Sequence, residues 1–276
     1  MNIAVLSGKG GTGKTFVAVN LAEAIGNGCY IDCDVEEPNG HLFLKPKNIS
    51  VQPVTVRVPQ VIKDKCNRCR KCVDFCHFNA LAITKDIPML FKGVCHSCGG
   101  CKIVCPNNAI EEKERKIGEI RIGKHNRITV KTGIMNTGEE SGVPIIHALL
   151  KGLNHKINII DCPPGSSCTV MESIREADFC IIVAEPTIFG THNFEMVYKL
   201  VKMLNKPFGV VINKVSSKNN PMEDLCAELN IPVLERIPFD KEIAASNADG
   251  NIVYGQSEIT KKIFDRLLSK ISEVTK

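Results

Sequence analysis

The chain has 276 residues, 43% hydrophobic and 24% charged, with a formal charge of +5, which leaves room for one large α/β domain and a small module. No apolar run approaches the roughly 20 residues that span a bilayer, and the run at 3–6 is too short for the core of a signal peptide, so a cytoplasmic location without membrane contact is expected. Fourteen cysteines in a reducing compartment point to metal ligands rather than disulfides.

In chain order, the sequence predicts a strand at 2–6, a glycine loop at 7–13 and a helix at 14–25, then a second strand at 29–33 running into Asp32 and Asp34. After residue 60 the pattern breaks, and residues 66–105 hold eight cysteines with little helical or strand periodicity. From about residue 117 ordinary alternation resumes. Strands are predicted at 157–160, 179–184, 208–212 and 232–236, and helices at 143–150, 170–176, 193–204 and 221–229. Strands alternating with helices imply an α/β fold with a doubly wound, mostly parallel sheet. The expected division is one domain at 1–60 and 113–276, interrupted by a cysteine module at 61–112.

The module contains an internal repeat. Cys66, Cys69, Cys72 and Cys76 recur 29 residues later as Cys95, Cys98, Cys101 and Cys105, and Ala80-Leu81 recurs as Ala109-Ile110, which implies two copies of one unit related by a pseudo-twofold axis. Each half follows C-x2-C-x2-C-x3-C, the run of bacterial two-cluster ferredoxins. Three cysteines spaced by three wrap one face of a cubane, and the fourth points away to the other cluster. Cys66, Cys69, Cys72 and Cys105 are therefore assigned to one [4Fe-4S] cluster, and Cys95, Cys98, Cys101 and Cys76 to the second, in an α+β ferredoxin-like module. Pro106 follows Cys105 as in ferredoxins, whereas His77 follows Cys76. A zinc module is the alternative for paired C-x2-C motifs; two complete four-cysteine matches argue against it. Each [4Fe-4S]2+ core with four thiolates carries 2 − 4 = −2, so two clusters bring +5 to roughly +1. The basic balance is thus no argument for nucleic acid, and none is expected as a partner.

Gly8-Lys9-Gly10-Gly11-Thr12-Gly13-Lys14-Thr15 satisfies G-x4-G-K-[ST] between a strand and a helix. The glycines let backbone N–H groups close around phosphate oxygens at a helix N-terminus. Lys14 is expected on the β- and γ-phosphates and Thr15 on Mg2+.

Lys9 sharpens the match. The box resembles the deviant Walker A loop of the MinD/ParA/Mrp superfamily, to which the nitrogenase iron protein also belongs. The resemblance implies ATP hydrolysis with Lys14, Asp34, Asp161 and Lys9 in catalytic roles, Lys9 reaching across a dimer to the partner's nucleotide. Asp32-Cys33-Asp34 resembles switch I, with Asp34 orienting the attacking water and the Mg2+ shell. Residues 159–165 resemble the Walker B strand and switch II, with Asp161 holding Mg2+ through water, Pro163 in the turn and Gly165 at the γ-phosphate. Asn213 and Lys214 resemble the adenine-contacting pair, and Pro238, Phe239 and Asp240 the second loop framing the base. Glu185-Pro186-Thr187, Phe189-Gly190 and His192 resemble a stretch typical of the ferredoxin-containing group, expected as a loop at the sheet's carboxyl edge.

Cys168 lies seven residues after Asp161, the spacing of a cluster ligand in the nitrogenase iron protein, but the loop expected at 132–144 has no cysteine to complete such a site. Cys29, Cys33, Cys162, Cys180 and Cys226 read as buried apolar side chains. The segment 257–276 is amphipathic, with Ile259, Ile263, Leu267, Ile271 and Val274 on one face. Packing onto the sheet is the expected use of that face, over a membrane-seeking helix.

The combined expectation is an iron–sulfur ATPase that couples nucleotide binding, hydrolysis and dimer rearrangement to electron transfer to a redox partner. It would act as a homodimer or paired with a related ATPase. The alternatives are an Fe–S carrier of the Mrp type delivering clusters to an acceptor protein, which closed four-cysteine sites disfavour, and a redox-sensing positioning protein of MinD/ParA type.

Overall fold

Apolar strands four to eight residues long, each flanked by helices, build the centre of the protein. The computed structural model describes residues 1–83, 86–217 and 219–274. The first half contains β1 (Asn2–Leu6), α1 (Lys14–Ile25), β2 (Cys29–Asp32), α2 (Gly40–Leu44) and β3 (Lys47–Val61). The cysteine segment follows with α3 (Lys71–Phe75), β4 (Leu81–Ile83), β5 (Pro88–Leu90) and α4 (Gly100–Ile103). The chain returns through β6 (Ile110–His125), β7 (Ile128–Met135), α5 (Val143–Leu150), β8 (Asn158–Asp161), α6 (Cys168–Ile174) and β9 (Phe179–Ala184). It ends with α7 (Ile188–Met203), β10 (Phe208–Val215), α8 (Pro221–Glu228), β11 (Val233–Pro238), α9 (Lys241–Ala248) and α10 (Glu258–Val274).

One sheet of nine strands has the order β11-β10-β9-β1-β8-β2-β7-β6-β3. Strands β11 to β7 in that order are parallel, and β6 and β3 extend the edge antiparallel. The central parallel strands β1, β8 and β9 are buried on both faces, which is why they read as apolar runs. In β1, Ala4 and Leu6 face one core with Ile145, Val170, Phe194 and Met222. Ile3 and Val5 face the other with Phe16, Val17, Phe264 and Leu267. Helices α5 to α8 thus cover one side, and α1 and α10 the other. The expected α/β architecture with a doubly wound, mostly parallel sheet is present, as are all the strands and helices predicted for the parallel part, within a few residues.

Several expectations are corrected. Residues 47–61 and 110–125 form a long antiparallel ribbon, and 128–135 is a strand rather than the start of a loop at 132–144. Their sequences carry lysine and glutamate on a solvated face and two prolines, Pro53 and Pro59, in β3, which hides the alternation. The return strand begins at Ile110, three residues before the expected boundary at 113. Residues 188–192 are the first turn of α7 rather than a loop; Thr187 caps it by accepting from the Gly190 N–H at 2.9 Å. In α10, Ile263, Phe264, Leu267 and Ile271 pack on the core, while Ile259 and Val274 are exposed. Residues 275–276 of the expected segment lie outside the described residues. Among the described residues no helix is long and apolar enough to cross a membrane.

The cysteine segment closes on the paired residues Val61 and Ile110, and β4 and β5 form a hairpin of their own. Its interior is Cys72, Leu81 and Ile110 with Val61, Val73, Leu90, Cys101 and Cys105 packed around them. The sequence repeat is visible in the backbone. Asn79 and Asn108 share a left-handed conformation, as do Arg70 and Gly99 and also Arg68 and Ser97. The Ala80 N–H donates to Cys76 Sγ at 3.3 Å, and the Ala109 N–H to Cys105 Sγ at 3.2 Å.

Candidate functional site

The glycine loop sits at the carboxyl edge of β1, where an open α/β sheet binds ligands. Gly13 has φ 98°, and a Cβ there would stand 2.1 Å from Asn213 Nδ2. Asn213 uses that amide to donate to the Thr12 carbonyl at 2.9 Å. The loop is further closed by Ser7 and Thr12 hydroxyls, both donating to the Lys9 carbonyl at 2.9 and 3.0 Å.

Lys14 points back over the loop and is buried. Its ammonium donates to Asp161 Oδ1 at 2.6 Å and lies 4.0 Å from Asp34 Oδ2. Asp161 ends β8 beside β1 and β2, and its other oxygen accepts from Tyr30 Oη at 2.8 Å. Asp32 is fully buried, accepting from the backbone N–H groups of Gly40 at 2.9 Å and Asp34 at 3.2 Å. One ammonium therefore stands among three carboxyls. Burial lowers the Lys14 pKa, but Asp161, Asp34 and Asp32 together outweigh it, and the net shift is upward. Burial, then Asp161, pushes Asp32 up to about 8. Asp34, next to solvent, is raised to about 6, mostly by burial with Lys14 opposing. An excess of negative charge around one lysine suits a divalent cation with oxygen ligands; Thr15, Asp34 and Asp161 are the side chains that fit it. Gly165, in the loop after β8, donates its N–H to the Ser7 carbonyl at 2.9 Å, with buried Pro163 before it.

A pH dependence follows from Asp32. Its folded pKa near 8 lies above the ordinary carboxyl value of about 3.9, so the native chain holds a proton that the unfolded chain has released. Stability of the nucleotide- and Mg2+-free protein should fall as pH rises from about 4 to about 8, by a slope approaching one proton. Asp32→Asn should flatten that part of the curve. Thermal unfolding in EDTA at successive pH values checks this; parallel curves for the two proteins would contradict it.

Lys9 is held inside its own chain. Its ammonium is 2.8 Å from Glu185 Oε2 and 5.3 Å from the centre of the Phe189 ring. Glu185 Oε1 also meets Lys214 Nζ at 2.7 Å, and Lys214 donates to the Gly11 carbonyl at 2.8 Å. Lys214 thus ties the end of β10 to the loop. Asn213, Lys214, Pro238, Phe239 and Asp240 do converge, lining one side of a pocket completed by Gly11, Gly13, Phe16 and α9. Asp240 Oδ1 also caps α9, accepting from the Glu242 and Ile243 N–H groups at 2.7 and 3.1 Å.

The eight module cysteines gather in two cavities. Cys66, Cys69, Cys72 and Cys105 line one, with Arg68, Arg70 and Pro88. Cys76, Cys95, Cys98 and Cys101 line the other, with Phe75, Phe78 and His96, and the Phe78 and His96 rings stack at 3.7 Å. All fourteen cysteines are free thiols. Among the described residues no three His, Cys, Asp or Glu side chains converge on a single-ion site. Cys29, Cys33, Cys162, Cys180 and Cys226 are buried as expected, and Cys168 is exposed at the start of α6.

Tyr30, Asp32 and Glu185 were not assigned roles from the sequence. Tyr30 alternates within an apolar strand and carries no local signal. Asp32 lies in the same Asp-Cys-Asp triplet as Asp34, but β2 ends at Asp32, which is buried, while Asp34 lies past the strand end, nearer solvent. Glu185 at the end of a buried strand was legible as unusual, and its two lysine partners now account for it.

A phosphate loop between β1 and α1, with its lysine paired to an aspartate at the end of the neighbouring strand, defines a P-loop nucleotide-binding protein. The chain belongs to the CbiA family, the CobQ/CobB/MinD/ParA nucleotide binding domain, which matches residues 3–253. It is 29% identical over 281 residues to an uncharacterized protein of Methanocaldococcus jannaschii, covering 99% of this chain and 97% of that one. A second uncharacterized protein of that organism is 31% identical over 257 residues, 91% and 90% of the two chains. The structure resembles the cell division ATPase MinD of Pyrococcus furiosus, with TM-score 0.61 and 19% identity over 99% and 98% of the chains. It also resembles the Pyrococcus horikoshii septum site-determining protein MinD complexed with Mg-ADP, with TM-score 0.59 and 19% identity over 100% and 98%.

Proposed function

We propose that this protein is an ATPase whose nucleotide cycle governs electron transfer, through two [4Fe-4S] clusters, to a partner protein. The observation that carries this reading is the sorting of eight cysteines into two cavities by the crossed rule, each taking three ligands from one repeat and the fourth from the other. Zinc would need each quartet to close on one ion; a cubane keeps its four ligands further apart, which suits a cavity. Cys66, Cys69, Cys72 and Cys105 would hold one cluster and Cys95, Cys98, Cys101 and Cys76 the other. When bound, each cluster accepts and donates single electrons. The Ala80 and Ala109 N–H groups, already aimed at sulfur, would favour the reduced state by hydrogen bonding to it.

At the nucleotide end, the backbone N–H groups of residues 10–15 and Lys14 would cradle the phosphates, and Thr15 would ligate Mg2+, with Asp34 and Asp161 holding its water shell. Lys14 would exchange Asp161 for phosphate, and Gly165 would exchange the Ser7 carbonyl for the γ-phosphate, so residues 161 and 165 would both change partners. Asn213 and Phe239 would frame adenine in the pocket beside the loop. Lys9 would leave Glu185 to reach the nucleotide of a second copy or a related chain. The relative from Methanocaldococcus jannaschii described as an ATP-binding protein, 25% identical over 95% of this chain and 84% of its own, agrees with adenine as the base.

The test is anaerobic reconstitution followed by iron analysis, electron paramagnetic resonance and phosphate release. About eight irons per chain, a reduced-cluster spectrum that changes with Mg-ATP, and slow hydrolysis are expected. Phe239→Ala should raise the nucleotide Kd about tenfold through lost stacking. Protein that hydrolyses ATP but holds zinc, or no metal, would sink the electron-transfer reading.

A further inference from the structure

The two repeats of the cysteine segment share a backbone but not a surface. The first loop carries Lys63, Lys65, Arg68, Arg70 and Lys71 against one carboxylate, Asp64. Shifted by 29 residues, the second carries Lys92, Val94, Ser97, Gly99 and Gly100, with Gly93 in place of the aspartate. All five cations of the first loop are exposed. Arg68 and Arg70 also line the cavity of Cys66, Cys69, Cys72 and Cys105. Among the described residues they pair with exposed carboxylates of their own chain, Asp86 at 3.4 Å and Asp74 at 3.6 Å, contacts that do little to offset their charge.

Both arginines occupy left-handed backbone, at φ 60° and 64°. A side chain there is disfavoured relative to glycine or asparagine. The second repeat meets the same two requirements with Ser97 and Gly99, at φ 54° and 73°. The fold therefore does not require arginine at either place. The two loops also face differently. Cys95, His96 and Ser97 border a pocket shared with Arg115 and residues 139–144 at the start of α5, and Arg115 pairs with Glu139 and donates to the Lys92 carbonyl. The second loop is thus turned toward the nucleotide-binding sheet. The five cations of the first loop, by contrast, face solvent.

We propose that the cationic loop at 63–71 is the docking face for a small acidic one-electron carrier protein of the ferredoxin type. This rests on the reading of Cys66, Cys69, Cys72 and Cys105 as cluster ligands. Cations ringing exposed Cys69 would draw an anionic partner to the point where the cluster is nearest the surface, and would raise the encounter rate. One electron leaves the reduced carrier's cluster and enters this chain's cluster; no bond forms or breaks and no proton moves. Nucleic acid fits less well, because the module's exposed aromatic side chains, Phe75, Phe78 and Phe91, all lie outside the 63–71 loop, and Phe75 and Phe78 border the other cavity rather than interleave with these cations.

The test compares the reconstituted wild type with the double variant Arg68→Ser, Arg70→Gly, which copies the second repeat and keeps a backbone the chain already uses. Calorimetric titration with an acidic plant-type [2Fe-2S] ferredoxin should give a Kd at least tenfold weaker for the variant. Stopped-flow reduction by the same ferredoxin should slow at least tenfold, and its dependence on ionic strength should flatten. Reduction by dithionite and iron content should be unchanged. Equal binding and equal salt dependence for the two proteins overturn the docking face. So does wild-type binding to duplex DNA or to phosphatidylserine vesicles that the variant loses while its ferredoxin kinetics stay unchanged. Failure to take up iron would instead sink the cluster reading, and the calorimetry would still decide whether the acidic protein binds.

Discussion

Replacing Lys14 with methionine should reduce ATP hydrolysis by a factor of about 10² to 10³ and also destabilise the free protein. The first effect is the loss of a preorganised cation where phosphate charge develops. The second comes from what Lys14 leaves behind. Asp161 has no exposure and sits 2.6 Å from the ammonium, with buried Asp32 and half-buried Asp34 close by. Removing the cation strands a buried carboxylate, which costs roughly 3–5 kcal/mol, or about 10 °C in Tm for a chain of this size. Mg2+ should recover part of that loss. Lys9→Ala separates the two effects, because Lys9 is one-third exposed and shares Glu185 with Lys214. Its Tm should stay within about 2 °C of wild type while hydrolysis falls as far as it does for Lys14→Met. Differential scanning calorimetry and phosphate release read both quantities. A Lys14→Met protein with unchanged Tm would contradict the charge arrangement described above.

The second large effect concerns which cysteines belong together. On the proposed two-cluster reading, Cys105→Ala should lose one cluster and about four of about eight irons. Because Cys105 shares a cavity with the first repeat, Cys66→Ala combined with Cys105→Ala should lose no more iron than either alone. Cys101→Ala combined with Cys105→Ala should lose nearly all of it, although both residues belong to the second repeat. Iron analysis and the amplitude of the reduced-cluster signal separate these outcomes. The opposite pattern, with the Cys101 and Cys105 variants redundant and the Cys66 and Cys105 variants additive, would assign each cluster to one repeat.

Most of the parallel sheet, though not β7, was readable because its central strands are buried on both faces and its loops are punctuated by glycine and aspartate. The phosphate loop was readable for a related reason: backbone that must approach phosphate needs glycine at fixed spacing, and Gly13 against Asn213 shows how little space there is. The ribbon at 47–61 and 110–125 was not readable. Its strands pair with each other along most of their length and carry charges such as Glu111 to Arg115 on a wet surface, so no apolar period survives. Contacts that depend on long-range placement were equally hidden. Nothing near Tyr30 announces a bond to a residue 131 positions away, and Glu185 acquires meaning only when β9 and β10 bring it against Lys9 and Lys214.

The pairing of Val61 with Ile110 has an architectural meaning of its own. A chain that departs and returns through adjacent rungs of one ladder can carry cargo of any size beyond the last rung without altering the domain behind it. Residues 62–109 are in that sense a cartridge clipped to the tip of a hairpin, and a two-residue turn in their place would leave β3 and β6 as an ordinary hairpin. The same attachment joins the cartridge to the sheet through two paired strands, with a break in register at Val54 and Thr55, rather than through a pair of loose linkers.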